Sequence, residues 1–222
     1  MALTNRGASV RNTLAGEAAC VLRRKTMDDR IKYITEEMQK VSDEALETFG
    51  GFSAEQLNWK PSGTGWSVGQ CFEHIIKTNH EFYPEFEKLA AGKRKNSFWE
   101  NWSPLTGMGG RFLIKAVSED SKKAKAPSKR IVPPSDLEPN IIERFADHID
   151  EVNQKVEACS EIDAKKTVVT SPFLVVFTYT LDDAYTVLVE HTKRHFRQAK
   201  RVTEAEGFPA NSEFPLQQVS VA

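Results

Sequence analysis

Residues 178–204 carry the pattern that most restricts the fold. At about 100° per residue, Leu181, Tyr185, Leu188, Thr192, His195, Ala199 and Val202 fall on one side of a single helix. His195 lies inside that apolar stripe, and His191 lies near its edge one turn earlier. Imidazoles at i and i+4 project the same way from a helix, so the two together can hold one metal ion.

Three other segments repeat the helical period. In residues 28–48 the recurring positions are Ile31, Ile34, Met38, Val41 and Ala45, followed by Phe49, and Gly50-Gly51 stops the helix. A short helical turn is expected before Pro61, then a loop at residues 62–65. The second long helix opens at Ser67, with Gln70 three residues on in a capping-box pattern, and is expected to continue to Ala91. Val68, Cys71, Phe72, Ile75, Phe82, Phe86 and Leu89 form its inner face, with Asn79 near the centre of the stripe. The third spans residues 135–159, with Ile142, Phe145, Ile149, Val152 and Val156 inward. Residues 165–179 have extended character, with too little strand around them to make a larger sheet. The fold class predicted is all-α: a four-helix bundle in up-down-down-up order. The long connection over residues 92–134, with a short helix at 111–117, is the crossover between helices two and three.

The chain has 222 residues, enough for one domain with a substantial core, and a net charge of −1. That balance gives no global reason to expect nucleic acid or an anionic membrane as partner. No apolar run approaches the roughly 20 residues of a membrane span. Cys20, Cys71 and Cys159 form no C-x-x-C pair, and Cys71 and Cys159 fall on apolar helix faces, which suits a reduced, cytoplasmic protein. Residues 1–26 are basic and acid-poor, with Arg6, Arg11, Arg23, Arg24 and Lys25 against Glu17 alone. Because Met27 directly precedes Asp28-Asp29-Arg30 and a good helix, this leader is expected to be a disordered arm or an over-long start. Residues 27–209 form the bundle, and residues 210–222 are expected to be a flexible tail.

On the residues alone, His191 and His195 are an ambiguous pair. His74, near the buried edge of the second helix, can complete a three-imidazole site with vacant positions for water or substrate. Thr192 stands where a His-Glu-x-x-His metalloprotease carries its glutamate, so the protease reading fails.

The stretch Trp66-Ser67-Val68-Gly69-Gln70-Cys71-Phe72-Glu73-His74-Ile75 resembles the tryptophan-serine to histidine opening of the second helix in DinB-like (DinB/YfiT) proteins. His191-Thr192-Lys193-Arg194-His195-Phe196-Arg197-Gln198 is similar to their last-helix His-x-x-x-His-x-x-Gln signature. Leu57-Asn58-Trp59-Lys60-Pro61 and Gly207-Phe208-Pro209 fit the same pattern. The resemblance implies a four-helix bundle with a divalent metal, zinc or nickel, on His74, His191 and His195. It also implies a metal-dependent enzyme acting on a small molecule, as a thiol S-transferase using a low-molecular-weight thiol or as a hydrolase, and a homodimer through helix faces.

Other polar residues carry blander expectations. His80, about 120° around the helix from His74, reads as a partly exposed helix residue and His148 as a packed one. Gln198, one turn past His195, is placed either to orient a ligand imidazole or as a plain polar residue beside the stripe. Glu73 and Glu190 face away from the stripe and offer no general base, so activation of a nucleophile falls on the cation. No catalytic or cofactor-binding side chain is assigned beyond the three ligands. The basic tract 93–130, with Phe98, Trp99 and Trp102 interleaved, reads as solvated loop charge. Its alternative role is to cover the metal site and hold an anionic thiol through Lys122, Lys123 and Lys125. Two other function classes stay open: a non-catalytic bundle with a structural or absent metal, and a nucleic-acid accessory protein using the basic loop.

Overall fold

The computed structural model describes the backbone of residues 6–93, 95, 98, 100, 106–119, 128–174 and 177–210. Side chains are described from residue 25 onward and, in the helix that begins at Thr106, from Met108 onward. The chain is mostly helical, with one two-stranded sheet. Helix α1 (Arg6–Phe49) is one continuous helix that begins upstream of the predicted start at Asp28, and Gly50-Gly51 end it as expected. Ile34, Met38, Val41, Ala45 and Phe49 are buried along it.

A short α2 (Ala54–Asn58) and then α3 (Val68–His80) follow, each opened by a serine capping box. In the second box the Gln70 backbone N–H donates to Ser67 Oγ at 3.1 Å, and the Ser67 N–H donates to Gln70 Oε1 at 3.2 Å. This is the pair expected from the spacing.

The predicted single helix to Ala91 is in fact two, α3 and α4 (Tyr83–Ala90). Pro84 sits in the first turn of α4, where its missing N–H and its ring cannot continue the α3 ladder. The apolar face nevertheless carries across the break: Phe72, Ile75, Phe82, Phe86 and Leu89 are all buried. The third predicted helix also starts later than its pattern suggested. Pro139 precedes α6 (Ile141–Glu157), and Ile142, Phe145, Ile149, Val152 and Val156 point into the core.

Between them lie α5 (Thr106–Ser118) and a 3₁₀ turn (Lys129–Ile131) within the long connection. Strands β1 (Val168–Thr170) and β2 (Thr178–Thr180) pair antiparallel in the register Val169 to Tyr179. The extended character of this region thus becomes a small hairpin rather than a larger sheet. Helix α7 (Leu181–Thr203) follows directly, capped by Thr180, whose hydroxyl accepts from the Asp183 N–H at 3.0 Å.

Helix α1 packs against α6 and α7, and α3 packs against the same two. Phe49 marks the junction, with its ring 5.4 Å from Phe72 of α3 and 5.9 Å from Phe196 of α7. The two short motifs at the ends of the matched pattern meet here as well. Trp59 stacks edge-on against Phe208 at 5.5 Å, and Gln56 Nε2 donates to the Pro209 carbonyl at 3.1 Å. Gly207, at φ 83°, makes the turn that returns Phe208 to this contact.

Helix α5 lies on α7 and β2. A Cβ added at Gly110 would overlap the Asp183 carboxylate, and one at Gly109 would sit 2.8 Å from the Thr178 carbonyl oxygen. Gly110→Ala therefore drives a methyl into the group that caps α7. The expected loss is about 1–3 kcal/mol from overpacking, read as a lowered urea midpoint with an unchanged slope. A midpoint equal to wild type would mean that α5 is not seated on α7 at this point.

Among the described residues no helix is long and apolar enough to cross a membrane. Cys71 and Cys159 are free and buried, as their positions on apolar faces implied. Burial raises the Cys159 thiol to about 11.

Candidate metal centre

Helices α3 and α7 lie side by side in the core, and the three sequence-predicted histidines meet between them. One potential ligand atom from each of His74, His191 and His195 lies within 4.8 Å of those of the other two. Ring centroids are 5.1 Å apart for His74 and His191, and 4.5 Å apart for each of the other two pairs. All three are buried.

Two of the three imidazoles are oriented by hydrogen bonds. His74 Nδ1 donates to the carbonyl of Ile131 at 2.7 Å, which leaves Nε2 with its lone pair free. His195 Nδ1 donates to Gln198 Oε1 at 2.9 Å. Gln198 thus takes the orienting role that its position one turn past His195 allowed. A histidine bound to metal through one nitrogen characteristically gives its other N–H to an oxygen acceptor, which sets the tautomer. His191 is different: its Nδ1 is buried with no hydrogen-bond partner among the described residues. An unpaired polar atom in the interior costs roughly 1–3 kcal/mol, and a cation held among the three rings would accept such a lone pair. The donor set, three imidazole nitrogens at close range, also suits a divalent ion of the zinc or nickel class.

The electrostatics keep His74 and His191 neutral. Burial lowers the His74 pKa to about 4, with the Ile131 hydrogen bond opposing the shift and Arg194 adding to it. Burial, then His195, His74 and Arg194, hold His191 well below the ordinary histidine range. A neutral imidazole is the form that ligates. The sign for stability follows from linkage. Below the ordinary value of 6.5 the unfolded chain binds protons on His74 and His191 that the folded chain refuses. Stability of the metal-free protein should therefore fall as pH drops through 6.5 and go on falling towards about 4, where folded His74 protonates. Each histidine contributes up to about 1.4 kcal/mol per pH unit in that window. Urea midpoints measured in chelator across this range check it, and a flat profile would contradict the assigned burial.

The surroundings explain parts of the sequence that no motif reading placed. A strap formed by residues 128–134 runs along α3. Gln70 Nε2 donates to the Pro134 carbonyl at 2.8 Å, His74 to Ile131, and Lys77 Nζ to the Val132 carbonyl at 3.2 Å. Arg130 pairs with Glu81 at 3.2 Å and ties down the other end of the strap. Ile131 had no signal of its own, because a backbone carbonyl is common to every residue. Trp66 covers the rings from the loop side, 4.7 Å from His74 and 5.7 Å from His195 between centroids. Arg194 and Arg197 reach past the site to the carbonyls of Ala116 and Ser118, joining α7 to the end of α5.

Glu73 is buried but turned from the triad, paired with Arg144 of α6 at 3.1 Å. That ion pair leaves it no role as a base at the three histidines. Thr192 is fully buried beside them, as its place on the stripe implied. Asn79 is likewise buried, and both of its side-chain polar atoms lack a partner among the described residues. His80 is half exposed, while His148 is packed against Tyr83. Neither belongs to the triad. Lys122, Lys123 and Lys125, as well as Trp99 and Trp102, lie outside the described residues.

No curated protein and no solved structure significantly matches the chain. Residues 35–199 match the family model of the DinB superfamily, a span that contains all three histidines, the Trp66 loop and the Ile131 strap. On that match over most of its length, the chain belongs to the DinB superfamily.

Proposed function

We propose that this protein is a divalent-metal enzyme of the DinB type, with zinc or nickel on His74, His191 and His195 and a small molecule as substrate. The observation that carries the reading is the conjunction at the triad. Three buried imidazoles converge, two of them oriented through Nδ1, and the third has a buried nitrogen with no partner among the described residues. The ion, when bound, supplies Lewis acidity that lowers the pKa of a water or a low-molecular-weight thiol.

The chain's own residues do the rest. Ile131 and Gln198 hold His74 and His195 in the ligating tautomer. Trp66 shields the rings and limits the entry of bulk water. Arg144 keeps Glu73 engaged elsewhere, so this carboxylate does not compete at the centre. Three protein ligands leave room in a four-coordinate site for one exogenous group. That vacancy favours S-transfer or hydrolysis over a closed structural role. The bundle itself is read as residues 27–209, with α1, α3–α4, α6 and α7 as its long elements in up-down-down-up order. The setting is cytoplasmic, and a homodimer through helix faces is part of the same reading.

The test is turnover of electrophiles with small thiols, and of activated esters and amides with water, by protein loaded with zinc or nickel. Activity that is lost in chelator, restored by the metal and absent from His74→Ala supports the proposal. Identical rates for loaded, stripped and His74→Ala protein would refute it.

A further inference from the structure

A second cluster of ligating side chains lies at the break between α3 and α4, facing α6. His80 is the last residue of α3, Tyr83 the first of α4, and His148 and Glu151 lie one turn apart on α6. One ligand atom from each of His80, His148 and Glu151 lies within 4.8 Å of those of the other two. The Glu151 Oε2 oxygen is the point of convergence. It is 3.8 Å from His80 Nε2 and 3.9 Å from His148 Nδ1, and it accepts from the Tyr83 hydroxyl at 3.2 Å. We propose that His80, His148 and Glu151 form a second divalent-metal site, independent of the triad, that clamps the α3–α4 break onto α6.

Three observations carry it. The first is separation. Two tetrahedral ligands each about 2.1 Å from zinc stand about 3.4 Å apart. The 3.8 and 3.9 Å distances to Glu151 therefore close by about half an ångström, and the His80 and His148 nitrogens, within 4.8 Å of each other, must approach as well, which side-chain rotation of the half-exposed His80 supplies. The second is the state of His148. Its side chain is 4% exposed, and its Nδ1, the nitrogen that faces Glu151, lies 3.2 Å from the Tyr83 hydroxyl; an ion on Nδ1 would displace that contact and leave the hydroxyl to donate to Glu151 alone. The third is charge. Two imidazoles and one carboxylate give a net negative, mixed N₂O donor set, which suits zinc, nickel or cobalt better than the all-oxygen preference of calcium or magnesium. The nearby Lys155 ammonium, 5.2 Å from the Tyr83 ring centroid, is already paired with Glu87 at 2.6 Å, which reduces its opposition to a cation.

His80 and Glu151 are each about half exposed, so the site opens to solvent and water completes the coordination. Tyr83 supports the carboxylate from α4, so a bound ion would tie together α3, α4 and α6 at the point where Pro84 interrupts the backbone ladder.

The experiment is zinc binding to the stripped full-length chain, by competition with a chromophoric chelator and by elemental analysis after dialysis. Wild type is expected to take up two equivalents. His191→Ala should lose the first and keep the second. Adding His80→Ala or Glu151→Gln to His191→Ala should weaken the remaining equivalent by at least the roughly 10–100-fold that loss of a supporting partner costs. Both positions are solvent-facing, and circular dichroism confirms that the variants fold. The proposal is overturned if His191→Ala binds no zinc, or if the double variants bind it as tightly as His191→Ala. Wild type binding one equivalent that His191→Ala retains and His80→Ala loses would uphold this site while removing the triad reading.

Discussion

His191→Ala should strip the protein of the metal equivalent proposed for the histidine triad. His191 supplies one of three converging imidazoles and has a buried nitrogen with no hydrogen-bond partner among the described residues. Removing it leaves two ligands, and a pair of histidines cannot hold a divalent ion against dialysis as three can. The expected fall in affinity exceeds the roughly 10–100-fold cost of losing a supporting partner. Elemental analysis of dialysed protein would then read one equivalent fewer than wild type. The helix itself should survive, because Leu188, Thr192 and His195 still fill the stripe on either side. Metal content unchanged in His191→Ala would exclude the triad as the binding site.

Phe49→Ala should produce the largest loss of stability. Phe49 is fully buried where α1, α3 and α7 meet, and its ring makes edge-on contacts with Phe52, Phe72 and Phe196 at 5.4, 5.4 and 5.9 Å. Truncation removes the buried ring and leaves a cavity among aromatic neighbours that cannot all collapse into it. The cost is about 3–5 kcal/mol, a large share of the roughly 5–15 kcal/mol that holds a domain together. For a chain of this length that lowers Tm by on the order of 10 °C. Urea and thermal unfolding of the metal-free proteins measure it without interference from ligand binding. A loss under about 1 kcal/mol would mean that the three helices do not converge on this ring.

Most of the core was legible because helical burial leaves a period in the sequence. Ile34, Met38, Val41 and Ala45 on α1, and Phe145, Ile149, Val152 and Val156 on α6, recur every three or four residues, and all are buried. Capping was legible for the same local reason, since Ser67 and Gln70 interact across three residues. The errors were local too. Pro84 and Pro139 carried the signal that splits the second helix and delays the third, but the unbroken apolar face through Phe82 and Phe86 masked it. Burial continues across a helix break even when the backbone ladder does not.

At the site, the division falls between neighbours along one helix and neighbours across the fold. The pairing of His191 with His195 is a property of α7, because four residues bring a helix back to the same side. His74 could be named from its residue type, its face and a family pattern, but its meeting with that pair depends on α3 packing beside α7. The acceptor that sets its tautomer is a carbonyl 57 residues away, a group that every residue carries and no motif marks. The approach of His80 to His148 has the same origin, in the packing of α6 against the end of α3. Periodicity therefore determined the helices, their buried faces and the first two imidazoles of the triad. Only the tertiary structure brought the third ring, His74, to that pair and decided which nitrogen it presents and what shields the three, because those depend on distances between segments that are remote along the chain.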